Sequence, residues 1–83
     1  MGKMFEVFDL WCAAFLVLCG HPVLATVPGR WVGFQFDDGD GGATEAYMHW
    51  RRGAVAVDIH QFIAAYRELR RRVWREREAQ QSA

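Results

Sequence analysis

The stretch that decides the fold reads DIHQFIAAYRELRRRVWRER, from Asp58 to Arg77. Its apolar residues recur every three or four positions, which is the period of an amphipathic helix. One buried stripe is therefore predicted, made of Ile59, Phe62, Ile63, Tyr66, Leu69 and Val73. Asp58 is expected to cap the helix start, with Gln61 as its capping-box partner. Residues 79–83 are expected to fray.

The same stretch carries the strongest chemical signal in the chain. Six of its residues are arginines: Arg67, Arg70, Arg71, Arg72, Arg75 and Arg77. The whole chain balances ten Lys and Arg against ten Asp and Glu, so a neutral total conceals one basic segment. This charge distribution points to binding rather than catalysis, and it does not identify the partner.

A helical wheel places Arg67, Arg71 and Arg75 on one line opposite the predicted stripe. Arg70 lies nearer the core edge, beside Trp74. Guanidinium groups suit phosphates and carboxylates, and an exposed tryptophan next to them would stack on a base. These five residues are the candidate binding site.

Two other interpretations of the arginines stay open. Glu68 is able to pair with Arg71 and Arg72, and Arg72 with Glu76, which would make a merely solvated face. A protein partner with an acidic surface is the other interpretation.

Upstream of this helix, a second helix is predicted from Leu10 to Cys19, opened by Asp9 and stopped by Gly20. It is apolar on nearly every side. Such a helix is either central in its own domain or partly buried against another copy of the chain. A homo-oligomer formed through this helix is therefore a possible assembly.

Between these helices, strands are predicted over Val23–Val27 and Arg30–Asp37, joined as a hairpin by Pro28-Gly29. The core face of the second strand should carry Val32, Phe34 and Phe36, and Met4–Phe8 reads as a further short strand. Ala43–Arg52 is predicted as a helix that ends at Gly53, and Ala54–Val57 as a third strand or an extended connector. We expect one α+β domain over residues 1–83, in the order helix, β-hairpin, helix, short strand, long C-terminal helix.

The composition offers little material for catalysis or metal binding. Cys12 and Cys19 would stand roughly 10 Å apart along one helix, too far for a disulfide. The three histidines match no metal-ligand spacing, and Ser82 is the only serine. No catalytic residue, metal or cofactor is predicted, and the thiols are expected to be reduced.

An acidic loop contains the second candidate site, made of Asp37, Asp38 and Asp40. The spacing fails for calcium, because Gly42 falls where the third ligand belongs. The loop is interpreted either as a mobile connection or as a carboxylate cluster offered to a basic partner.

No membrane segment is predicted. The uncharged stretch Leu10–Gly29 is interrupted by Gly20-His21-Pro22, and its unbroken part is half the length that spans a bilayer. A secretory signal would need a positive start, whereas Glu6 and Asp9 outweigh Lys3. A cytoplasmic location is expected.

The ordered motifs resemble a family of small bacterial and phage proteins catalogued as a domain of unknown function. They are Asp9-Leu10, Ala13-Ala14-Phe15-Leu16, Gly20-His21-Pro22, Phe34-Gln35-Phe36-Asp37, and Val57-Asp58 followed by Phe62, Ala65, Leu69 and Arg70. The resemblance covers about residues 5–74. Phe8 and Ile59 depart from the family pattern at the two helix starts. The resemblance implies a phage or mobile-element setting, and no activity.

The leading hypothesis is a non-enzymatic protein that binds nucleic acid, or a nucleic-acid-processing complex, through its basic C-terminal helix. The alternatives are a phage-type inhibitor that docks on a host protein, or a homo-oligomeric structural module.

Overall fold

A computed structural model describes residues 3–53 and 55–82. Three strands and three helices follow one another as β1 (Met4–Val7), α1 (Leu10–Leu18), β2 (Val23–Val27), β3 (Gly33–Asp37), α2 (Gly42–Arg52) and α3 (Ile59–Ser82). The strands form one antiparallel sheet in the order β1-β3-β2. The predicted α+β class and the long C-terminal helix are confirmed.

The helices cover one face of the sheet. Phe34 and Phe36 point toward them from the central strand and are fully buried. Val7 pairs with Phe34 and joins the same core. Phe34 and Phe36 are thus the centre of the core, as their alternation predicted.

Helix α1 runs through the middle of the domain. Its residues Cys12 to Leu16 are all buried, packed between α2, α3 and the sheet. Asp9 caps its start as predicted, with its carboxylate accepting from the backbone N–H groups of Trp11 and Cys12. Cys12 to Leu16 are therefore used inside their own domain, while Trp11 of the same helix is exposed. The homo-oligomer contact through α1 stays a prediction.

The hairpin differs from its prediction. Strand β3 begins at Gly33, which pairs with Val27, so residues 28–32 form a five-residue loop. Two-residue hairpin turns require a positive φ at their first position. Pro28 is fixed near a φ of about −65°, and the tight turn is therefore excluded.

The strand that completes the sheet is β1, near the N-terminal end of the described residues, and not the segment before α3. Met4–Val7 occupies the second side of β3, whereas Val55–Val57 has no strand structure and Ala54 lies outside the described residues. Ala56 and Val57 are exposed, so this segment connects α2 to α3 along the surface. The predicted strand at this place is wrong, and the predicted connector is correct.

Helix α3 begins where predicted, because Asp58 accepts from the backbone N–H of Gln61 at 3.0 Å. It then continues to Ser82 through residues that were expected to fray. No glycine or proline interrupts these positions, and alanine and glutamine favour helix.

The buried stripe of α3 is narrower than its periodicity suggested. Phe62 and Leu69 are buried, and Ala65, Tyr66 and Val73 pack against the core. Ile59 and Ile63, however, are 59% and 38% exposed. The nine-residue helix α1 covers the Phe62 side of α3, and Ile63 points about 100° away from Phe62 around the helix axis.

Candidate nucleic-acid interface

Two parallel rows of side chains run along α3, one on its exposed side and one at the border between that side and the core. The first, which we call the arginine row, consists of Arg67, Arg71 and Arg75, spaced four residues apart and all exposed. This placement agrees with the helical wheel. Successive members stand about 6 Å apart along the axis, so the row presents three guanidinium groups in one line.

Glu68 pairs with part of the arginine row. Its carboxylate lies 2.8 Å from Arg71 Nη2 and 3.8 Å from Arg75 Nη2. The hydrogen bond and charge of Arg71 lower the pKa of Glu68, with smaller effects from Arg75 and Arg72. The expected pairing with Arg71 is therefore present, while Arg75 takes the second ion pair that was expected for Arg72. Such exposed pairs are weak and exchange readily with other anions.

Arg67 and Arg70 have no carboxylate within ion-pair distance among residues 3–53 and 55–82. Both are exposed. Arg72 is turned away from them, toward Thr26 of β2, where it is half-buried. Arg67 and Arg70 thus keep positive charge that no carboxylate of the described residues neutralises through an ion pair.

The second row, which we call the aromatic row, consists of Tyr66, Arg70 and Trp74, again four residues apart. Trp74 is 59% exposed. Tyr66 is half-buried because the indole of Trp11 lies on it, with ring centroids 4.2 Å apart and planes inclined by 14°. The predicted site residues Arg70 and Trp74 therefore share a surface with the arginine row.

Sequence reasoning missed Trp11. In α1 it looked like one more apolar residue of a central helix, yet it is 51% exposed. The available signal was its position directly after the first residue of α1, where a side chain is able to reach a neighbouring helix.

The acidic loop uses its carboxylates to build local structure. Asp38 is only 8% exposed, and it accepts from both the backbone N–H and the hydroxyl of Thr44. Asp37 accepts from Gly39 N–H, and Asp40 accepts from Gly42 N–H at the start of α2. Of the predicted acidic site, only Asp37 and Asp40 are accessible to a partner.

The structural role of Asp38 predicts a pH dependence. The hydrogen bonds from Thr44 lower the pKa of Asp38 below its ordinary value. A carboxylate with a lowered folded-state pKa stabilises the fold above its unfolded-state pKa of about 3.9, and loses this effect as the pH falls through the folded-state value. Asp38→Asn should therefore lower the Tm at neutral pH and make the acid-induced fall in Tm shallower.

Thermal melts followed by circular dichroism between neutral pH and pH ~2 would measure this change. Asp40→Asn is the matched control, since Asp40 is an exposed carboxylate of the same loop. An equal change in slope for both variants would contradict the role assigned to Asp38.

One surface cavity of about 420 Å³ brings together Cys19, His49 and Asp58. Partial desolvation raises the pKa of the Cys19 thiol although the residue is exposed, which disfavours the nucleophilic thiolate. His49 lies 3.9 Å from Glu45, and Asp58 caps α3. His49 and Asp58 thus each have a contact of their own beside this cavity.

The two cysteines are free thiols, Cys12 buried and Cys19 exposed. Burial, followed by the negative charge of Asp9, raises the pKa of Cys12 to about 11. Within the described residues, no three His, Cys, Asp or Glu side chains are grouped closely enough to hold a metal ion.

The outer face of the sheet is a further surface that the sequence did not single out. The ring of Phe8 lies over Gly33, where an added Cβ would stand 2.5 Å from it. Phe8, Val27 and Trp31 line an open apolar depression there. This face lies on the side of the sheet opposite the helices, away from the core.

Within the ranges that the structure describes, no helix is both long enough and apolar enough to cross a membrane. Comparison of the chain with protein-family models, with curated proteins and with solved structures gave no match. The resemblance to the bacterial and phage family therefore stays a prediction, and the geometry of α3 carries the functional argument.

Proposed function

We propose that this protein is a non-enzymatic binding protein that engages nucleic acid through the exposed side of α3. The observation that carries the proposal is the position of the arginine row beside the exposed indole of Trp74. Polyanion charge and base surface are the two features that every nucleic acid offers. The same proposal includes a location in the cytoplasm of a bacterial cell that carries a phage or mobile element. This part of the proposal rests on the resemblance alone.

The spacing of the arginine row supports phosphate contacts. Its guanidinium groups repeat about every 6 Å, and a stacked strand carries a phosphate about every 3.4 Å. One arginine is therefore available for roughly every second phosphate. A guanidinium also binds phosphate through paired hydrogen bonds, which a lysine ammonium does not form.

The competing proposals have less support. An inhibitor docking through the acidic loop would rely on Asp37 and Asp40, since Asp38 is buried. A protein of a nucleic-acid-processing complex remains a partner for the same arginine row, provided that it presents an acidic surface.

The test is a variant in which Arg67, Arg71 and Arg75 are all replaced by glutamine. Glutamine has nearly the helix propensity of arginine, so the fold should be retained. Each lost phosphate contact should reduce the slope of log K against log salt by about 0.7 to 0.9. The triple variant should therefore bind more weakly at low salt, with a slope flatter by up to roughly 2 to 3.

Fluorescence anisotropy with labelled oligonucleotides over a salt series would measure these slopes. The matched control replaces Arg30, Arg51 and Arg52 by glutamine, which removes the same charge from the β2–β3 loop and the end of α2. Equal losses in both triple variants would contradict a specific role of α3. If the unaltered protein binds no oligonucleotide at low salt, the proposal fails. A pull-down with and without nuclease would then identify the protein partner.

A further inference from the structure

The stack of Trp11 on Tyr66 joins α1 to the binding surface of α3. The two rings are nearly parallel at 4.2 Å, and Phe62 lies parallel to the same indole at 5.8 Å. Both partner rings belong to α3. Since Trp11 is nevertheless half exposed, the ring face directed away from α3 is open to solvent.

This open indole face is held in place before any ligand arrives. Asp9 fixes the backbone at Trp11 through a 2.9 Å hydrogen bond, and Tyr66 supports the ring from beneath. An aromatic group that is already ordered loses little conformational freedom on binding. Trp11 therefore differs from a tryptophan that projects freely into solvent.

A second exposed indole stands farther along the same helix. Trp74 follows Tyr66 by eight residues on the aromatic row, which corresponds to about 12 Å along the axis. At about 3.4 Å for each stacked nucleotide, this distance spans three to four nucleotides. Arg70 lies between the two aromatic positions, and the arginine row runs alongside them.

We infer that Trp11 and Trp74 form a stacking platform for the bases of a single-stranded nucleic acid, whose backbone follows the arginine row. This inference rests on the proposed function and narrows its ligand to one strand type. Every base has a π-face, so the platform tolerates any sequence. Ile59 and Ile63, which are exposed beside the platform, extend its apolar surface.

The two indoles are the reason for choosing a single strand over a duplex. In a duplex the base faces are covered by neighbouring base pairs, and a protein reaches only the base edges in the grooves. The exposed surface of α3 offers ring faces next to cations, which is the combination that binds the accessible base faces of a single strand.

The experiment compares an oligo(dT) of ~15 nucleotides, a single-stranded RNA of the same length and a hairpin duplex, each fluorescein-labelled, at low salt. Trp11→Leu and Trp74→Leu should each weaken binding of both single strands by about 5- to 150-fold, with little effect on the duplex. Leucine keeps an apolar side chain and helix propensity while it removes the ring.

The matched control is Trp31→Leu. Trp31 is 67% exposed, but it lies in the β2–β3 loop beside the outer-face depression. This variant should bind all three probes like the unaltered protein. Trp11→Phe should restore most of the lost affinity, because phenylalanine returns a ring. Circular dichroism melts would verify that each variant is folded, and Trp74→Leu tests the platform independently if Trp11→Leu disturbs the contact between α1 and α3.

The outcomes separate the inference from the function on which it rests. In one outcome the probes bind, the arginine triple variant loses affinity, and both indole variants keep their affinity. That outcome disproves the platform while the proposed function stands. Equal or tighter binding of the duplex by the unaltered protein would also overturn the platform. Loss of single-strand binding in both indole variants, with Trp31→Leu unchanged, is the result expected.

Discussion

Replacing Phe36 with alanine is expected to lower the free energy of unfolding by about 3–5 kcal/mol. The ring is fully buried in β3, the one strand of the sheet with a neighbour on each side. Phe5 and Val23 are its register partners, and both pack against the same core. Loss of the ring therefore leaves a cavity that the surrounding strands cannot easily close.

Urea denaturation followed by circular dichroism would measure the loss. A domain of this size has an expected stability of about 4–12 kcal/mol, so the Phe36→Ala variant is expected to be only marginally folded. The matched control is Gln35→Ala on the opposite face of the same strand. Gln35 donates one hydrogen bond to Glu6, and its loss should cost below about 1.5 kcal/mol. A larger loss at Gln35 than at Phe36 would mean that the two faces of the sheet are exchanged.

Leu69→Ala is expected to lower the free energy of unfolding by about 2–5 kcal/mol. Leu69 is 3% exposed and anchors the middle of α3 to the core. Arg71→Ala, two positions along the same helix, should cost under about 0.5 kcal/mol, because its ion pair with Glu68 is exposed to solvent. The same denaturation experiment measures both changes.

Ile63 makes this comparison sharper. The apolar periodicity of α3 predicts that Ile63 is buried, whereas the structure leaves its side chain 38% exposed. Ile63→Ala should therefore cost clearly less than Leu69→Ala. A loss at Ile63 equal to that at Leu69, or a ranking with Arg71 above Leu69, would show that α3 is rotated about its axis relative to this structure.

The local signals of the sequence predicted much of the fold. Asp9 and Asp58 cap α1 and α3 as expected, and Gly53 ends α2 in a left-handed conformation. Alternation along β3 correctly assigned Phe34 and Phe36 to the core. In each case the signal is contained in a few neighbouring residues, where short-range geometry decides the structure.

The errors came from contacts between distant segments. Periodicity identifies an apolar arc on α3, but only the length and position of α1 decide which part of that arc is covered, and Ile59 and Ile63 fall outside it. Likewise the alternation of Met4–Phe8 predicted a strand, but its place beside β3 depends on the unpaired side of that distant strand. The candidate site also combines local and long-range features. The arginine row was predictable from helix geometry, whereas Trp11 reaches Tyr66 only through the packing of α1 on α3.

The length of α3 has a consequence for how the binding surface behaves in solution. The helix runs for 24 residues, about 36 Å, but among the residues that the structure describes, the last apolar side chain that packs on the core is that of Val73. From Trp74 onward its amide hydrogens are guarded mainly by the helix itself, so local opening there should let them exchange with solvent deuterium sooner than those near Leu69. Tyr66 and Arg67 lie on the part that is expected to exchange slowly, and Trp74 and Arg75 lie on the part that is expected to exchange rapidly. A ligand that contacts both parts would slow exchange most in the final turns, which links its affinity to the ordering of that end of the helix.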